Sequence, residues 1–192
     1  MQKLIFATNN QHKVTEIRSL LGDGFDIVTL KDAGIDIDIP EPYNTLEENA
    51  RTKSETIYTM TGTDCFGEDT GLEVYALNGE PGVKSARYAG DGRDFAANID
   101  KLLHNLEGMT NRSARFRTVI SLIINGKEHQ FEGICEGKII EKHQGTDGFG
   151  YDPVFVPGGD TRTFAEMSLQ EKNAYSHRGK AMKKLISFLL DK

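Results

Sequence analysis

The stretch MQKLIFATNNQHKVTEIRSLL, residues 1–21, decides the fold class. Leu4, Ile5, Phe6 and Ala7 make a short unbroken apolar run, which suits a strand covered on both faces. Val14, Ile17, Leu20 and Leu21 then recur at helical spacing. A strand, a polar loop and a helix in that order open an α/β fold, and residues 26–30 supply a second strand.

Outward from this unit, residues 36–44 contain Pro40 and Pro42 and cannot be regular helix, so an extended loop is expected. Thr45 with Glu48 has the form of a capping box, and Leu46, Ala50, Ile57 and Met60 mark an apolar stripe along a helix to about Thr61. Residues 64–74 read as strand around an acidic turn at Glu68 and Asp69. The Gly-rich segment NGEPGVKSARYAGDGR, residues 78–93, is long for a structureless connection and is expected to be a functional loop or lid. A helix over 95–106 follows. Two β-rich runs, 114–124 and 128–136, flank Asn125-Gly126, a strong hairpin signal. Residues 145–157 read as loop, Ser168 with Glu171 as a capped helix start, and Ser176 as the entry to a last helix carrying Ala181, Leu185 and Leu189.

No repeat and no Ser/Pro linker divides the 192 residues, so one α/β domain over 1–192 is expected, with room for two lobes. The chain carries 29 acids against 23 bases, a net charge of -6, which speaks against wrapping a nucleic-acid backbone. Cys65 and Cys135 make no disulfide scaffold and no metal spacing; they are expected to be small buried hydrophobes. The apolar opening stops at Ala7, too short for a signal sequence or a membrane span, and a reducing cytoplasm is the expected setting.

Three constellations are candidates for chemistry. Lys13, Lys172 and Arg178 each fall at or near a predicted helix start, where a cation is mildly unfavourable unless an anion binds alongside; phosphate is one such anion. Glu41, Glu68 and Asp69 are three acids read as lying in loops. They either converge on a hard cation such as Mg²⁺ or are solvated turn acids. In GTDGFGYDP, residues 145–153, Phe149 and Tyr151 lie among glycines, so their rings either stack on a flat ligand or plug the core. Asp152 can accept from a heterocycle, while His177 and Arg178 add donors.

The motifs TNNQHK (8–13), EDTGL (68–72), SARYAG (85–90), FGYDP (149–153) and SHR (176–178) occur in that order. Together they resemble the inosine triphosphate pyrophosphatase family, also called the HAM1 or RdgB family, across essentially the whole chain. The resemblance implies an ITPase-like (Maf/HAM1) fold, an elongated mixed β-sheet flanked by helices, with two lobes and a central cleft, and a homodimer. It implies Mg²⁺ and cleavage of noncanonical purine nucleoside triphosphates (ITP, dITP, XTP) to monophosphate and pyrophosphate, with no nucleic-acid or membrane partner. By position it assigns Thr8, Asn10, Lys13, Lys53 and Lys172 to the phosphates, with Asn9 and Thr70 beside them. Glu41 and Asp69 are assigned to the metal with Glu68 nearby, and Asp69 to the attacking water. Phe149, Gly150, Tyr151, Asp152, His177 and Arg178 are assigned to the base. Relatives usually carry Gly at Asn9, and Asn tolerates positive φ well enough to keep the loop. Many carry Asp-Asp-Ser at residues 68–70, so Glu68 reaches the metal either directly or through water. A Maf-type pyrophosphatase with other nucleotides, and a non-catalytic nucleotide sensor, are the rival readings.

Overall fold

A computed structural model describes residues 2–21 and 24–191. In chain order the elements are β1 (Gln2–Phe6), α1 (Gln11–Leu21), β2 (Phe25–Thr29), α2 (Leu46–Thr61), β3 (Cys65–Val74), β4 (Pro81–Gly82) and α3 (Phe95–Asn105). They continue with β5 (Ser113–Ile124), β6 (Lys127–Ile139), β7 (Phe155–Pro157), α4 (Leu169–Tyr175) and α5 (His177–Leu190). The strands hydrogen-bond in the order β2-β1-β3-β5-β6-β7, with β4 on β3. This is the α/β fold that the opening residues predict, with the mixed sheet that the resemblance implies.

The chain divides into two compact units. The first comprises residues 1–69, 118–133 and 178–192, and the second 70–117 and 134–177. In the first, β1 pairs in parallel with β2 (Leu4 opposite Ile27) and with β3 (Ile5 opposite Cys65), as strands joined through helices must. Leu4, Phe6, Val14, Ile17 and Phe66 form its core with Ala181, Met182, Leu185 and Leu189 of α5. The Phe6 and Phe66 rings stack at 4.5 Å. In the second, β3 pairs antiparallel with β4 and β6 with β7, and Leu72, Val74, Leu102, Phe116, Phe155 and Phe164 lie in the core.

Local signals account for most element ends. Thr45 caps α2 by accepting from the Glu48 N–H, and Gly62 closes it at φ 62° with its N–H on Tyr58 O. The Glu48 carboxylate departs from the expected box, since it accepts from the Thr45 hydroxyl at 2.6 Å. Asn125 (φ 51°) and Gly126 (φ 73°) take the left-handed conformations that a two-residue hairpin demands. Ser168 and Glu171 form the full capping box of α4.

Three expectations need correction. Met60 is 55% exposed, so the buried face of α2 ends at Ile57. The 145–157 region contains a 3-10 turn at Asp152–Val154 and the strand β7, which is too short to show a period. Glu68 and Asp69 are not in a turn: β3 runs through both without a break.

Candidate functional site

In the first unit the polar centre is built on the middle of β3. Strand alternation alone would put one of two consecutive acids toward solvent, yet Glu68 is 1% exposed and Asp69 6%. Both faces of this strand are covered, so each carboxylate must find partners. Gly67, just before them, lets α2 lie on the strand. A Cβ there would sit 2.5 Å from Ala50 O and 2.6 Å from Lys53 Cβ. That close approach brings Lys53 to the acids: its Nζ lies 3.0 Å from Asp69 Oδ1, 2.9 Å from Glu68 O and 2.5 Å from Glu41 Oε1.

One ammonium is therefore shared between two carboxylates. Burial opposes the Lys53 charge, but Asp69 and Glu41 outweigh it and raise its pKa. Asp69 has only part of that cation, and desolvation leaves its carboxyl raised against the pull of Lys53 and Lys13. Its Oδ2 is buried without a hydrogen-bond partner.

Glu68 faces other partners. Arg178 donates from Nε to Oε2 at 2.9 Å and from Nη2 to Oε1 at 2.8 Å, and Lys13 Nζ stands 3.4 Å from Oε1. The Nη1 of Arg178 donates to Glu16, which is buried at 4%. Desolvation opposes the Arg178 charge, but Glu68 and Glu16 hold it firmly protonated. Lys13 is lowered, chiefly by burial, with Glu68 countering.

The loop before α1 supports this cluster. Asn10 caps the helix by accepting from the Lys13 N–H at 3.2 Å, and Thr8 Oγ1 accepts from the Asn10 N–H at 3.1 Å. Asn9 Nδ2 donates to Ile37 O. Among the described non-glycine residues positive φ occurs at Asn78, Arg93 and Asn125, so Asn9 does not need the left-handed tolerance expected of it.

The second unit holds the aromatic constellation. Asp152 Oδ2 accepts from the Phe149 N–H at 2.9 Å and from Lys172 Nζ at 2.5 Å, closing the loop on itself. Gly148 (φ 75°) is required there, because a Cβ would sit 2.0 Å from that oxygen. Lys172 Nζ also stands 5.1 Å from the Phe149 ring centroid and 5.4 Å from that of Phe164. His177 stacks on Phe116 at 4.6 Å. Tyr151 is buried, with its hydroxyl donating to Ser85 O at 2.7 Å, and burial raises its pKa. Thr70 follows Asp69 on β3 and is half-buried, and Gly150 (φ 62°) separates the two aromatics.

The expected residues thus fall into two groups. Thr8, Asn10, Lys13, Glu41, Lys53, Glu68 and Asp69 assemble in the first unit, and Phe149, Tyr151, Asp152, Lys172 and His177 in the second. Two of these residues also have carboxylate partners. Arg178, expected beside a base, is committed to Glu68 and Glu16, and Lys172, expected beside phosphate, is paired with Asp152. The cations at helix starts each have a protein carboxylate, so a bound anion is not needed to explain them. Glu16 joins the cluster without a motif to mark it, its one local signal being that it lies three residues from Lys13 and shares its helix face.

Among the described residues no group of three or more His, Cys, Asp or Glu side chains could hold a metal unaided. Mg²⁺ needs less, since it keeps several waters and takes substrate oxygens. The unpartnered Asp69 Oδ2 is a ligand of the required kind, and Glu41 converges on the same side chain through Lys53. Glu68 has both oxygens engaged by Arg178 and fits a direct ligand less well.

Fold and site define an α/β protein whose buried acids and cations are gathered on one strand by helices packed against it. The Ham1 family model matches residues 4–188, and the chain belongs to that family. It is 52% identical to the dITP/XTP pyrophosphatase of Flavobacterium psychrophilum over 97% of this chain and 98% of that one. The Ham1 protein of Staphylococcus aureus superposes with TM-score 0.89 at 38% identity, covering 99% of each chain. A HAM1 protein from Coxiella burnetii gives 0.91 at 37% identity, covering 100% of each. No helix among the described residues is long and apolar enough to cross a membrane.

Proposed function

We propose that this chain hydrolyses noncanonical purine nucleoside triphosphates, ITP, dITP and XTP, to nucleoside monophosphate and pyrophosphate. The observation that carries the reading is the buried Asp69 with one unpartnered oxygen, placed among Lys53, Glu41 and Lys13. Relatives that bear the name dITP/XTP pyrophosphatase at about half identity over nearly the whole chain support it.

In the reaction water adds to the α-phosphorus while the bond from that phosphorus to the α,β-bridging oxygen breaks, and pyrophosphate leaves. Lys13 and Lys53 offset triphosphate charge, which favours the leaving group. Asp69, or Glu68 where the metal takes Asp69 fully, would orient or deprotonate the attacking water, and burial raises the Asp69 carboxyl, which favours proton acceptance. Asp69 and Glu41 would hold Mg²⁺, which supplies Lewis acidity at the phosphate oxygens. Glu68, gripped by Arg178 and standing beside Lys13, fixes β3 in place.

Base choice rests on groups of the second unit. His177 and backbone N–H groups of the 148–152 loop are the donors proposed, which a 6-oxo purine accepts from and a 6-amino purine does not. The test is pyrophosphate and orthophosphate release from ITP, XTP, GTP and ATP, with Mg²⁺ and with chelator. Metal-dependent pyrophosphate release from ITP and XTP, well above GTP and ATP, is expected. Orthophosphate as first product, or nucleotide binding without turnover, would overturn the proposal.

A further inference from the structure

Phe95 opens α3 directly after its cap, Asp94, and is 38% exposed. Phenylalanine has no propensity advantage at a helix start, and an apolar ring left in water gains little from burial there. Its ring does have one notable neighbour. The centroid lies 6.1 Å from that of Phe149 with the planes tilted by 47°, within the range where aromatic pairs attract.

Phe149 is half-buried and is approached in three ways. Asp152 holds its backbone N–H, Lys172 stands at its ring, and Phe95 meets the ring from α3. The start of α3 is itself anchored. Asp94 accepts from the Ala97 N–H, while Asn98 accepts from the Ala89 N–H at 2.7 Å and donates to Ala86 O at 3.1 Å. These bonds tie α3 to the 85–90 segment, where Ser85 O receives the Tyr151 hydroxyl. Phe95 therefore projects from a base tied, through the 85–90 segment, to Tyr151 of the aromatic loop. The SARYAG motif, otherwise without a role, forms that tie.

We propose that Phe95 is a positioning residue for purine recognition, holding the Phe149 ring in the plane on which the base stacks. The inference rests on the proposed activity and adds to it a residue that does not itself need to touch the reacting atoms.

The experiment compares Phe95→Ala, Phe95→Tyr, Phe149→Ala and the double variant Phe95→Ala/Phe149→Ala. It measures KM and kcat for ITP, and the Kd for IMP without metal. Phe95→Ala should raise KM and the IMP Kd by about fivefold, the size of one aromatic pair, with kcat within about twofold. Phe95→Tyr should restore both. In the Phe149→Ala background the Phe95→Ala change should add nothing, because its route to the ligand is gone.

An unchanged IMP Kd in Phe95→Ala, a loss confined to kcat, or an equal loss in both backgrounds would each overturn the inference. Thermal melting identifies a folding defect, and Phe95→Leu then replaces the alanine variant. If the wild-type protein neither turns over ITP nor binds IMP, the proposed activity itself falls. A silent Phe95→Ala in an active enzyme removes only the positioning role.

Discussion

Arg178 grips Glu68 with two parallel hydrogen bonds, Nε to Oε2 at 2.9 Å and Nη2 to Oε1 at 2.8 Å, while its remaining nitrogen reaches Glu16. All three side chains are buried, so the fork joins β3, α1 and α5 at one point and leaves no wet alternative for any of the charges. Glu68→Gln should therefore cost about 3 kcal/mol of folding stability in urea unfolding, the usual result of removing one partner from a buried pair. A cost below about 1 kcal/mol would mean that the pair is solvated.

Asp69→Asn removes the buried carboxylate proposed to activate the water and should lower ITP turnover by about a hundredfold or more. Because burial raises the Asp69 carboxyl, the ionised base is gained at higher pH than for an ordinary aspartate. The wild-type kcat/KM should accordingly rise with pH on its acid limb. The residual rate of Asp69→Asn should lack that limb, and a pH profile of both enzymes checks it.

Gly67→Ala places a Cβ against Ala50 O and Lys53 Cβ, and the obstacle at 2.5 Å is backbone, which cannot swing aside. The helix must shift from the strand, costing about 1–3 kcal/mol as overpacked cores do. Lys53 moves with it, so turnover should fall beyond any loss from unfolding. Denaturation and ITP assays on the same preparation separate the two.

Glu171 closes the cap of α4, and Arg162 donates to its Oε1 at 2.8 Å. Arg162 and the Ser168 N–H hold this carboxyl down to about 2, against an ordinary 4.5. A depressed folded-state pKa stabilises the protein above the ordinary value and loses that contribution as pH falls through the folded one. The stability advantage of wild type over Glu171→Gln should be constant above about pH 4.5 and shrink toward pH 2. A difference that does not change with pH would show that the charge of Glu171 is not what Arg162 holds.

Cys65 and Cys135 are both buried, and burial pushes the Cys65 thiol up to about 12. Iodoacetamide at pH 8 should label neither in the native protein and both after denaturation. Labelling of the native chain at a rate near that of free thiols would contradict the burial.

The features legible in the sequence are those in which a residue acts on its near neighbours. The capped starts at Thr45 and Ser168, the Asn125-Gly126 hairpin and the strand-loop-helix opening each depend on a few consecutive residues. The two free, buried cysteines were likewise readable from number and spacing. What was misread depends on neighbours distant in the chain. Glu68-Asp69 followed by Thr-Gly has the chemistry of a turn, and only the coverage of both faces of β3 turns it into buried strand. Equally, no local pattern announces that Arg178 pairs with Glu16, 162 residues earlier, and with Glu68.

By itself the sequence determined the fold class, the family and the set of residue types able to carry the chemistry. Motif order and hydrophobic period are properties of the chain as written. Tertiary structure alone decided which carboxylate has an oxygen to spare. Desolvation makes every buried charge take the nearest counter-charge, and that neighbour is chosen by how helices pack on strands: Glu68 went to Arg178, and Asp69, sharing Lys53 with Glu41, kept Oδ2 unpartnered.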